Sequence, residues 1–235
     1  MNTDAEASGA PAAPQPAATA GAGQQAATRP TFRRHMALLA VVVVLIALDL
    51  WSKEAVFAWF QDPEASAELA RSERGHLRFP LIGDWLGFML NLNYGAAFGQ
   101  GAGMPWLLVV GRCIAAVFLT VLIVRTPKGQ PVYLASLVLI LSGALGNLYD
   151  NFFYRPEAGA MGVKADRPFG PVRDFIDVYF YGWEWHFPTF NIADSCITVG
   201  AILLLATGLF SPRERVVPAS TDGATAGPDA EAEGT

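Results

Sequence analysis

HMALLAVVVVLIALDLWSK, residues 35–53, holds an uncharged run from Met36 to Leu48, followed by Asp49 and Lys53 four positions apart. The basic flank Arg33, Arg34 and His35 ahead of an apolar run has the order of a secretory signal peptide. The apolar pattern continues past Asp49 to Phe60 with no small-x-small cleavage signature, so 36–59 reads as a retained spanning helix. Three further stretches share its character. Met104 to Val124 is apolar except for Arg112, Val132 to Tyr149 is apolar with several small residues, and Phe190 to Phe210 is apolar after Asp194. Spans of about 36–59, 104–124, 132–150 and 190–210 are each long enough to cross a hydrocarbon core roughly 30 Å thick.

The expected fold is therefore an α-helical membrane protein with four transmembrane helices. Its membrane domain covers 31–211, with outer loops at 60–103 and 151–189. The tails 1–30 and 212–235, biased toward Ala, Pro, Gly and other small residues, read as disordered. The chain is 52% apolar and 16% charged over 235 residues, an average that the two tails dilute. A soluble domain of the remaining size would not hide several uncharged runs of this length. The net charge of −5 says little about partners because several acids lie in the tails. No basic stripe interleaved with aromatics points to nucleic acid. Cys113 and Cys196 sit inside apolar runs and read as small core hydrophobes, with no disulfide framework.

Basic residues near the helix ends set the expected orientation. Arg29, Arg33 and Arg34 precede the first helix, Arg125 and Lys128 fill the second connection, and Arg213 and Arg215 follow the fourth helix. That side is expected to be cytoplasmic, with both termini on it. Of the outer loops, Leu81 to Gly99 suggests short strands or an interfacial segment. Residues 173–188 carry Tyr181, Trp183 and Trp185, suited to the headgroup belt. The Pro/Gly-containing stretch 155–172 reads as a flexible insertion.

Ionisable groups within a span are costly and mark function by default. At about 1.5 Å per residue, Asp49 lies about 20 Å along helix one, Asp150 about 28 Å along helix three, and Asp194 about 24 Å from the cytoplasmic end of helix four. All three reach the outer interface, and Asp174 joins them if 173–188 folds back onto the membrane. Each also has an ordinary structural reading. Asp49 and Lys53 have i,i+4 ion-pair spacing. Asn191 and Asp194 look like a helix cap with an acid in the first turn. Asn147 and Asp150 sit where a helix ends, Arg112 pairs with an acid or lines a polar interior, and Asp174 and Asp177 read as solvated loop acids. Their convergence is harder to dismiss than any one of them.

With only His35, His76 and His186, and no His-Glu-x-x-His helix, a zinc site has little support. No serine lies in a nucleophile elbow. Paired carboxylates remain. Two close together share a proton, so that the ionised one activates water while the protonated one polarises a scissile carbonyl.

Five motifs, in order, resemble those of the lipoprotein signal peptidase (signal peptidase II) family. They are Asp49-Leu-Trp-Ser-Lys53, Asn93-Tyr-Gly-Ala-Ala-Phe98, Gly146-Asn-Leu-Tyr-Asp150, Val172-Arg-Asp-Phe-Ile-Asp177 and Phe190-Asn-Ile-Ala-Asp-Ser195. The resemblance covers about 36–211. It implies a multi-pass aspartic endopeptidase of the bacterial inner membrane, with its site near the outer face. Such an enzyme removes the signal peptide of a prolipoprotein just before its diacylglyceryl-modified cysteine. The resemblance places the catalytic pair on Asp174 and Asp194. Asp49, Lys53, Asn93, Gly95, Asn147, Asp150, Asn191 and Ala193 match positions that support the site, and Arg112 is added from its membrane depth. It further implies a small extracytoplasmic β-cradle and an interfacial segment. Lipidated prolipoprotein and membrane lipid are the expected partners, with no metal or soluble cofactor, no nucleic acid, and a monomeric enzyme.

Two departures stand out. The family usually places Arg directly after the aspartate of the Gly-Asn-x-x-Asp motif, where this chain has Asn151. Arg155 and Arg173 are the candidates to replace that charge beside Asp150. The segment from Asp150 to Asp174 is also longer than usual, which leaves Asp177 as a competitor to Asp174. Rival readings are a small ion transporter, a non-catalytic scaffold and an inactive homologue. The first predicts acids spread through the membrane depth and broken helices in matching halves; the chain shows neither pattern.

Overall fold

The computed structural model describes residues 32–67, 70–71, 77–95, 104–156 and 167–210. The two tails, 157–166 of the insertion, His76, and 96–98 of the second motif lie outside the described residues. Helix α1 runs Phe32–Gln61, α3 Pro105–Arg125, α4 Pro131–Phe153 and α5 Ile192–Phe210, with a single turn, α2, at Pro63–Ala67. These bounds lie within a few residues of the expected spans, save that α1 starts earlier. Both α3 and α4 begin with proline in the first turn, where its missing N–H costs nothing and its fixed φ suits the helix.

Three helices, α1, α3 and α4, are long and apolar enough to cross a membrane. The fourth, α5, is apolar and shorter over its described stretch Ile192–Gly208. Outward faces of α1 and α3 expose Val41, Val43, Val44, Leu107, Ile114, Val117 and Phe118, a surface suited to lipid. The central helix is α4: 61% of its apolar window is buried, against 17% for α1 and for α3. A core of Val42, Val109, Leu119, Ile123, Leu134, Leu137 and Leu141 joins these helices at mid-depth.

Small residues let α5 lie directly on α4. A Cβ on Gly143 would come within 2.2 Å of the Ala193 main-chain oxygen, so only glycine permits this approach. At the other end, Arg34 Nη1 and Nη2 donate to the Thr126 and Pro127 carbonyls at 3.1 and 3.3 Å. This ties the start of α1 to the α3–α4 connection on the basic side.

The two long connections, 60–103 and 151–189, build an antiparallel five-stranded sheet in the order β1 (Ala70–Arg71), β2 (Leu77–Ile82), β3 (Leu86–Asn93), β4 (Val172–Phe180) and β5 (Trp185–His186). Of the stretch Leu81–Gly99, expected to hold short strands or an interfacial segment, Leu86–Asn93 forms β3, whereas β2 lies mostly ahead of it, and 173–188 folds back as β4 and β5. Besides the one-turn α2, a single 3-10 turn at Tyr181–Trp183 connects β4 to β5. Strand β4 pairs with β3 through Asn91↔Asp174 and Asn93↔Val172. A second apolar cluster of Val56, Phe57, Phe60 and Phe175 seats the sheet on the end of α1. This packing carries β4 over the ends of α4 and α5.

Candidate active site

The site is built on one buried ammonium. Lys53 is fully buried and has three N–H donors; its Nζ meets Asp49 Oδ2 at 2.7 Å, Asn147 Oδ1 at 3.0 Å and Asp150 Oδ2 at 3.2 Å. The i,i+4 pair read from the sequence is present, as part of a larger network. The other oxygen of Asp49 accepts the Ala193 backbone N–H at 2.8 Å, so an α1 carboxylate satisfies a free donor at the start of α5. A Cβ on Gly146 would sit 2.6 Å from Asp49 Oδ2, which explains the glycine ahead of Asn147.

Asn147 passes this order on. Its oxygen faces the Lys53 ammonium, so its Nδ2 is left to donate, and it does so to Asp194 Oδ1 at 2.8 Å. Asn191 and Asp194 form a reciprocal helix cap. The Asp194 N–H donates to Asn191 Oδ1 at 2.9 Å, and the Asn191 N–H donates to Asp194 Oδ2 at 3.4 Å. The capping role read from the sequence is therefore real, and it also fixes the direction of the Asp194 carboxylate. Asn191 Nδ2 donates to Asp174 Oδ1 at 2.7 Å, so one asparagine touches both acids of the expected pair.

The environments of the two acids differ. Asp194 is half-buried and well supplied with donors. Asp174 is fully buried on β4, and its Oδ2 has no hydrogen-bond partner among the described residues. Burial, reinforced by the Asp194 charge, raises the Asp174 pKa to about 8, against the opposing pull of Asn93, Lys53 and Asn191. Asn93 Oδ1 accepts the Gly95 N–H at 2.8 Å, which holds this side chain beside the turn that follows β3.

Asp150 has its charge partner. Arg173 Nε and Nη2 donate to Asp150 Oδ1 at 3.1 and 2.9 Å, and the Arg173 backbone N–H donates to Oδ2 at 3.0 Å. Of the two arginines considered, Arg173 fills the role. Arg155 Nη1 instead donates to the Asn151 and Tyr154 carbonyls. Arg173 also donates from Nη1 to Glu54 at 2.7 Å and lies 4.4 Å from the Tyr154 ring centroid. Glu54 is absent from the sequence reading: it lies 119 positions from Arg173, and nothing local marks the pair.

Asn151 anchors the returning insertion. Its Nδ2 donates to the Gly170 carbonyl at 2.9 Å and its carbonyl accepts the Gly170 N–H at 2.9 Å. Its Oδ1 accepts from Arg112 Nη1 at 2.5 Å, so Arg112 pairs with this neutral amide.

Asp177 is engaged elsewhere. It accepts from Arg78 Nε at 2.6 Å and contacts His186 Nδ1 at 2.8 Å, a cluster that ties β4 to β2 and β5. Side chains alternate along a strand, so Asp174 and Asp177, three apart, face opposite ways. Strand parity is the signal that separates them.

The family model for signal peptidase (SPase) II matches residues 41–210. The lipoprotein signal peptidase of Yersinia pseudotuberculosis serotype O:1b (strain IP 31758) is 34% identical over 181 residues, covering 75% of this chain and 88% of its own length. That of Francisella tularensis subsp. novicida (strain U112) is 32% identical over 179 residues, covering 74% and 92%. A solved bacterial membrane enzyme structure at 2.3 Å is similar in fold, with a TM-score of 0.55 at 24% identity over 74% of this chain and 88% of that one. Another, at 1.9 Å, has a TM-score of 0.54 at 23% identity, covering 75% and 94%. The sequence match spans most of the chain and is accompanied by apolar spans and a small antiparallel sheet: the protein belongs to the signal peptidase II family, an integral membrane protease of the lipoprotein signal peptidase type.

Proposed function

We propose that this protein is an aspartic endopeptidase of the bacterial inner membrane that cleaves prolipoproteins just before their diacylglyceryl-modified cysteine. Asp174 and Asp194 are the catalytic pair, and both termini lie in the cytoplasm with the site at the outer face. The observation that carries the reading is the asymmetry of the two acids. Asp174 is buried, with an oxygen that no described residue satisfies and a pKa of about 8, whereas Asp194 is half-buried and receives the Asn147 amide.

At neutral pH this arrangement keeps Asp174 protonated. Asp194 takes a proton from water as the water oxygen attacks the scissile carbonyl carbon. Asp174 donates to the carbonyl oxygen, which carries the developing negative charge. Collapse of the tetrahedral intermediate breaks the C–N bond. The proton held by Asp194 passes to the leaving amine, and Asp174 recovers its own. Asn191 and Asn147 hold the two carboxyls in register. Apolar faces of the helices take the lipid chains, and the sheet lies beside the extended peptide. The enzyme works as a monomer.

The test is processing of a diacylglyceryl prolipoprotein by purified wild-type, Asp174→Asn and Asp194→Asn proteins. Each substitution should lower kcat at least a thousandfold while leaving substrate binding within a few fold. Full processing by either variant removes that residue from the pair.

A further inference from the structure

Arg112 stands seven residues inside α3, about 10 Å from the helix start, where a cation is expensive to keep. Its one hydrogen bond among the described residues goes to the neutral Asn151 side chain, so no carboxylate neutralises it by direct contact. Its remaining N–H donors have no acceptor among the described residues. From α3 the guanidinium thus reaches Asn151, the residue after Asp150, whose carboxylate shares the Lys53 ammonium with the Asn147 amide that holds Asp194. Ion pairing within the fold does not account for it, since Arg173 and Lys53 already satisfy Asp150.

The position it reaches is informative. Asn151 follows Asp150 on α4, and Arg112 Nη1 lies 2.5 Å from Asn151 Oδ1. On this side of the site α4 supplies a short amide, and α3 supplies the cation that the amide holds. Asn151 is kept from turning because its Nδ2 is bound to the Gly170 carbonyl. We infer that Arg112 is a substrate-positioning residue, whose unused guanidinium donors bind a carbonyl oxygen of the lipidated peptide beside the catalytic acids. This inference rests on the Asp174–Asp194 reading. The carbonyl belongs either to the peptide main chain or to a glyceryl ester of the lipid. Both are neutral acceptors suited to a guanidinium at this depth.

The test uses the full-length enzyme in detergent and a synthetic diacylglyceryl-cysteine peptide spanning the cleavage site. Arg112→Met should raise KM at least tenfold with kcat within a few fold of wild type. Arg112→Gln, which keeps two donors, should fall between them and serves if the Met variant does not fold. The double variant Arg112→Met/Asn151→Arg should bring KM back to within a few fold of wild type, because the charge returns from α4. A role in packing α3 would not be rescued from a different helix. The same series is run on a substrate with ether-linked chains. A KM penalty that persists assigns the peptide carbonyl, and one that disappears assigns the lipid ester.

Unchanged KM in both single variants, or a folded double variant no better than Arg112→Met, overturns the inference. Those results leave the catalytic reading intact as long as Asp174→Asn and Asp194→Asn remain inactive. Activity in the aspartate variants is the separate failure of that reading.

Discussion

Asn147 donates to Asp194 because its oxygen is already committed to the Lys53 ammonium, which lies 3.0 Å away and has no lone pair to offer in return. An α1 lysine thereby sets the orientation of an α4 amide, and that amide steadies an α5 carboxylate. The relay makes the effect of changes along it predictable.

Replacing Lys53 with Met should be the most damaging change. It leaves Asp49 and Asp150 buried without their shared cation, and breaking a buried pair in this way costs about 3–5 kcal/mol. Thermal unfolding in detergent should show a large fall in Tm. Arg should not substitute, since its planar fork does not match three converging acceptors.

Asn147→Ala should leave the fold largely in place and reduce turnover. The lost hydrogen bond is to a charged oxygen, worth about 1.5–3 kcal/mol, which corresponds to roughly a tenfold to hundredfold loss in kcat/KM if the bond is needed in the transition state. Steady-state cleavage of the lipidated peptide measures it. A loss of less than twofold would show that Asp194 is held by its cap alone.

The helices were legible because uncharged runs have few other uses, and the convergence of Asp49, Asp150 and Asp194 followed from rise per residue alone. The sheet was legible only as scattered strands, since pairing such as Asn91↔Asp174 depends on contacts far apart in the chain. Arg78–Asp177 and Glu54–Arg173 were hidden for the same reason. Asp174 and Asp177 could have been told apart by strand parity once β4 was recognised. Arg112 was visible as an anomaly, but its partner was not, because a neutral asparagine is not where a charge search ends.

Activity should have an alkaline limb near pH 8. Asp174, with its pKa raised to about 8, is the group that must stay protonated, so kcat/KM should fall as pH rises through that value. Stability should move the same way. The folded state holds a proton that the unfolded chain releases above about pH 4, so stability declines as pH climbs from about 4 to 8. Asp174→Asn should flatten that decline and give a higher Tm than wild type above pH 8. The comparison is Tm against pH for both proteins.

Asp177→Asn should separate the sheet from the chemistry. Arg78 and His186 lose their shared carboxylate, so Tm should fall. The alkaline limb near pH 8 should remain in whatever activity survives, because Asp174 keeps its surroundings. If the limb is lost, the acid role moves from Asp174 to Asp177.

The reciprocal cap between Asn191 and Asp194 bears on drug resistance. The bonds that begin α5 are the same bonds that set the direction of the Asp194 carboxylate, so a substitution there disturbs a helix as well as the proposed catalytic pair. An inhibitor built to grip the Asn191–Asp194 turn and the Asn147 amide beside it should therefore be hard to escape, because the residues it holds also hold the start of α5.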